Sequence, residues 1–88
     1  MIFSHGKDGE PWSRKISGMA EIARAEGYRA DSLDYRGLDT PRERIAKLVA
    51  HCQKLPGDLV LVGSSLGGYV AVAAASLLHA PAIGIQHD

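Results

Sequence analysis

The chain has 88 residues, 45% of them hydrophobic, and its ten basic and ten acidic residues give a formal charge of zero at pH 7. That length allows one small domain with a thin core, since a chain this size buries only about 60–65% of its unfolded surface. The apolar content excludes a disordered chain, and the scattered, balanced charge excludes a steering field for nucleic acid or acidic membranes.

Residues 1–4 read as a short buried strand, and residues 5–10 as the loop that ends it. Pro11 suits the start of a helix. Trp12, Ile16, Met19, Ala20 and Ala23 then recur at helical spacing. Trp12 is expected to pack this helix onto a sheet, with a place at a pocket mouth as the alternative. Gly27 suits the position after the helix end. Residues 28–35 read as a second strand, polar enough to belong at or near a sheet edge. Asp39-Thr40-Pro41 caps a second helix, whose buried face is Ile45, Leu48, Val49 and Cys52. Pro56-Gly57-Asp58 is a turn. Residues 59–62 are apolar throughout, as in a central strand covered on both faces. Residues 67–78 are apolar nearly all round, which predicts a largely buried helix. Residues 81–85 are a fourth short strand. Strands alternating with helices require a parallel sheet with right-handed crossovers.

The opening apolar run is too short for a signal peptide and lacks a basic segment. Residues 70–78 are about half the length a membrane span needs. A membrane partner is therefore not expected. The single cysteine, Cys52, excludes an internal disulfide and fits a reducing, cytoplasmic compartment. Its helical position suits a small core filler. His5, His51, His79 and His87 are spread along the chain without ligand spacing, so no metal is expected, and nothing implies a cofactor.

Gly63-Ser64-Ser65-Leu66-Gly67 fits G-x-S-x-G between an apolar strand and a helix, the setting in which a strained turn exposes a nucleophilic serine. Glycines two residues either side admit close backbone neighbours. The helix that follows aims free N–H groups and its positive dipole end at the serine, so the Leu66 N–H is a candidate oxyanion donor. An ordinary glycine-rich turn would match the same pattern. Two phosphate-binding motifs fail here. Tyr69-Val70 stands where a P-loop needs Lys and Ser/Thr. Ser65 occupies the second glycine of the dinucleotide fingerprint.

Ile2-Phe3-Ser4-His5-Gly6 resembles the strand-plus-His-Gly opening of the α/β-hydrolase fold. Asp34-Tyr35-Arg36-Gly37 resembles the D-x-R-G that often ends its next strand, and residues 63–68 resemble its nucleophile elbow. The three motifs stand in the family's order and span nearly the whole chain. The resemblance implies an α/β class fold: a parallel four-stranded sheet flanked by helices, an incomplete three-layer α/β-hydrolase-like arrangement with strand order second, first, third, fourth. It implies Ser65 as nucleophile and the backbone N–H of Lys7 as the second oxyanion donor. The Lys7 side chain then faces solvent or an anionic substrate. His5 and Gly6 shape the loop; His5 as a direct base is the alternative reading.

In this family the acid and the histidine follow the serine. Only His79, His87 and Asp88 do so here. His79 lies roughly 20 Å along a helix and is rejected. His87 follows the fourth strand on the serine's edge of the sheet and is the remaining candidate base, with Asp88 in reversed order. The chain is therefore expected to be a single truncated domain, residues 1–88, similar to the N-terminal half of a small esterase-like serine hydrolase. The expected partner is a small acyl substrate. The alternatives are a non-catalytic binding module and a truncated product without a role. Residues 82–85 would form an unprotected edge, which predicts a homodimer.

Overall fold

The structure, a computed structural model, describes residues 1–85. Strands β1 (Ile2–Ser4), β2 (Asp31–Leu33), β3 (Leu61–Ser64) and β4 (Ala82–Ile85) alternate with helices α1 (Arg14–Ala25), α2 (Pro41–Cys52) and α3 (Leu66–Leu78). The sheet is parallel throughout, in the order β2-β1-β3-β4. Polar β2 is an edge strand, as its composition predicted. Phe3 lies opposite both Ser32 and Val62, and Ser4 opposite Gly63.

Alternate residues of each strand serve opposite faces. Phe3 and Val62 join Ile16 and Ala20 of α1 on one face. Ile2, Leu33 and Leu61 join Leu48 and Cys52 of α2 and Val70, Ala71 and Ala74 of α3 on the other. The protein is thus a three-layer α/β fold. No helix of the described residues is long and apolar enough to cross a membrane.

Helix ends follow local chemistry. Thr40 caps α2 by accepting the Glu43 N–H, with Pro41 in the first turn. Gly27, at φ +91°, closes α1 in a Schellman arrangement: Tyr28 N–H bonds to the Ala23 carbonyl and Gly27 N–H to that of Arg24.

Several expectations need correction. Helix α1 begins after Ser13, which caps it by accepting the Ile16 N–H, so Pro11 stands in the preceding loop. Trp12 is 41% exposed and carries the Arg24 guanidinium 5.3 Å from its ring centroid, so it does not pack α1 onto the sheet. The second strand is only Asp31–Leu33, because Tyr28 completes the α1 closure, the Arg29 carbonyl accepts from the Met1 amino group, and residues 34–38 form a turn. The third strand begins two residues later than expected and runs to Ser64. Helix α3 is covered on one side only: Tyr69, Val72 and Leu77 are exposed, because β3, β4 and α2 all pack against the opposite arc.

Candidate active site

Ser65 stands alone between β3 and α3, at φ 53° and ψ −121°. A positive φ is costly for a residue with a Cβ, on the order of 1–3 kcal/mol. Several constraints hold it there. Its N–H bonds to the Ile85 carbonyl, and its own carbonyl accepts from Gly68 and Tyr69. A Cβ on Gly63 would overlap the Gly67 carbonyl, and one on Gly67 would overlap the Ser4 carbonyl and come within 2.7 Å of His5 O. Only glycines permit α3 to leave the sheet so abruptly.

A serine at this position ordinarily turns its hydroxyl back to cap the helix. Ser65 makes no such side-chain bond, and the residue is exposed. Its hydroxyl is left for the cleft. Leu66, the first residue of α3, has no helical acceptor for its N–H. Nothing among the described residues accepts from that N–H or from the Lys7 N–H.

β1 pairs with β3, so the loop after Ser4 reaches the same edge of the sheet. Gly6 rests beside the elbow: a Cβ there would lie 3.6 Å from Ser65 Cβ and from Ser64 O. Loop and elbow, with the start of α1, line a cleft of about 620 Å³ that includes Lys7, Asp8, Ser64 and Ser65. A second cleft, about 560 Å³, opens beside Met1, Asp31 and Leu59, at the opposite end of the sheet, where the strands start. Ligands of open parallel sheets bind beyond the carboxyl ends of the strands, which favours the cleft at Ser65.

His5 is 2% exposed and has both ring nitrogens engaged. Nε2 accepts the Tyr35 N–H at 2.8 Å, so the proton sits on Nδ1, which donates to Gly6 O at 2.7 Å. Burial pushes its pKa below the ordinary value, the bond to Gly6 O opposing. It is a neutral strut between two loops. His79 ends α3 in the left-handed conformation, a full helix away from Ser65. His87 lies outside the described residues. Among the described residues, no three His, Cys, Asp or Glu side chains gather as a metal site requires.

The Asp34-Tyr35-Arg36-Gly37 turn supports this loop. Asp34 accepts Arg36 Nε at 2.9 Å and Nη2 at 2.7 Å, which holds its carboxyl well below the usual carboxylate range. Leu38 N–H closes the turn on Tyr35 O, with Gly37 at φ +90°. Tyr35 is fully buried, its hydroxyl 2.8 Å from Ser4 Oγ, and burial pushes its pKa up to about 12.

A family model for the alpha/beta hydrolase family matches residues 1–86. The chain belongs to the alpha/beta hydrolase family. No curated protein and no solved structure matches it. Within the hydrolase framework, the strand opening and the elbow line one cleft, and the D-x-R-G turn braces the loop between them through the His5–Tyr35 bond. Sequence reasoning missed Tyr35 and Arg44, which lie beneath that cleft. Arg44 stands four residues before Leu48 and eight before Cys52, on the stripe that α2 buries. That spacing was the available signal, and the arginine's charge masked it.

Proposed function

We propose that this hydrolase-family chain is a serine hydrolase acting on a small ester or related acyl substrate. The observation that carries the reading is the backbone of Ser65, held at φ 53° with its hydroxyl uncommitted at the mouth of a helix. Ser65 Oγ attacks the acyl carbon and gives up its proton to a base. The oxyanion that forms is held by the N–H groups of Leu66 and Lys7. The alcohol departs with a proton, and water then releases the acid from Ser65.

The base belongs to none of His5, His51 or His79. His5 is fully bonded, His51 lies in the last turn of α2 beside Asp31 at the far end of the sheet, and His79 is a helix away. Of the histidines this leaves His87, which lies outside the described residues. That gap supports a second reading, a non-catalytic module that retains the crevice for binding.

A fluorophosphonate probe separates the two. Labelling of the native chain, mapped by mass spectrometry to Ser65 and abolished in Ser65→Ala, is the expected result. A folded protein that stays unlabelled would leave the binding module standing.

A further inference from the structure

Arg44 is 4% exposed, and among the described residues no carboxylate pairs with it. A buried guanidinium without a counter-charge is costly unless its donors are well placed. Arg44 spends them on carbonyls. Nε donates to Leu38 O at 3.0 Å, Nη1 to Gly6 O at 3.2 Å and Nη2 to Lys7 O at 3.2 Å. Its Cζ sits 5.6 Å from the Tyr35 ring centroid, which fixes the plane of the fork. A lysine could not reproduce this, because its ammonium is one compact charge rather than a planar fork.

The carbonyls matter through the peptide planes they belong to. In a trans peptide, C=O and the following N–H point in opposite directions. Drawing Gly6 O toward Arg44 therefore turns the Lys7 N–H away from Arg44. Drawing Lys7 O the same way does likewise for the Asp8 N–H. Gly6 packs against Ser65, and the Lys7 N–H has no acceptor of its own. We infer that Arg44 is a positioning residue, which clamps the Gly6 and Lys7 carbonyls and so aims the Lys7 N–H at the oxyanion position beside Ser65. This rests on the serine-hydrolase reading for its catalytic meaning. The clamp itself can be tested without it.

Two variants and two readouts test the inference. Arg44→Lys keeps the charge and loses the fork; Arg44→Met keeps the aliphatic stem alone. Fluorophosphonate inactivation is resolved into a maximal rate and a half-saturating concentration. Misplacing one oxyanion donor should cost about 100-fold in the maximal rate in both variants and leave the half-saturating concentration unchanged. Amide exchange then monitors Gly9, whose N–H bonds to Gly6 O. Its protection should be lost in both variants, while the amides of Leu48 and Cys52 in α2 stay protected. A variant with α2 intact that labels at the wild-type rate, or keeps Gly9 protected, overturns the inference. If wild type itself is unlabelled, the hydrolase reading fails. Gly9 exchange then decides by itself whether Arg44 holds the loop.

Discussion

Nε2 of His5 accepts the backbone N–H of Tyr35 at 2.8 Å and can do so only while the imidazole is neutral. The bond ties the loop after β1, which lines the cleft, to the turn after β2. Its pKa is lowered from 6.5 in the folded chain, chiefly by burial. The unfolded chain therefore binds more protons between the two values. This contribution to stability is whole above the unfolded value and is lost as pH falls toward the folded one. Urea midpoints should drop on acidification from about pH 7.5 to about pH 5. Asp34, also depressed, acts lower, below its ordinary 3.8, and stays out of that window. His5→Gln supplies an acceptor that does not titrate and should flatten the profile. An unaltered slope in His5→Gln would assign the effect to other groups.

Gly67→Ala and Gly63→Ala should each cost about 3 kcal/mol or more, because the new methyl would meet backbone carbonyls that cannot move without parting β1, β3 and α3. Gly18 is the control. It lies within α1, and a Cβ there meets nothing within 4 Å. Gly18→Ala should stabilise by about 0.5–1 kcal/mol, measured by the same urea titration.

Ser65→Gly and Ser65→Ala both remove the hydroxyl, and both should abolish probe labelling. They should differ in stability. Glycine accepts φ 53° freely, whereas alanine keeps the strain. The glycine variant should be the more stable by about 1 kcal/mol, the relief being partly offset by the freer unfolded chain. Equal melting temperatures would indicate that the elbow stores no strain.

Tyr35→Phe leaves Ser4 Oγ buried without its partner at 2.8 Å and should cost about 1–3 kcal/mol. Ser4→Ala strands the tyrosine hydroxyl in the same way. The double variant should cost less than the two single costs added together, since both partners then leave. Additive costs would mean the pair does not interact.

The elbow and the cap at Thr40 were legible because each depends on short-range chemistry: glycines at fixed offsets, a threonine before a proline. Alternating strands and helices required a parallel sheet, and the order of its strands came from the family resemblance. The second strand was overread. Tyr28 looks β-like, but the Schellman closure at Gly27 commits its N–H to the Ala23 carbonyl before the strand begins. Trp12 misled because a large aromatic at helical spacing normally packs inward; here the helix starts two residues after it. Pattern also read α3, apolar nearly all round, as largely buried. Its exposed residues, Tyr69, Val72 and Leu77, depend on which neighbours pack where, and hydrophobicity along one helix does not carry that information. The supports beneath the cleft, Tyr35 and Arg44, are long-range contacts of the same sort.

The first strand occupies the interior of the sheet, with Ile2 beside both Asp31 and Leu61. On a ribosome this strand is made before either of its partners. Until Leu61 emerges from the exit tunnel, one whole flank of Phe3 and its neighbours stays bare. The elbow follows immediately in sequence, so the growing chain covers that flank and brings Ser65 to the loop after β1 in the same moment.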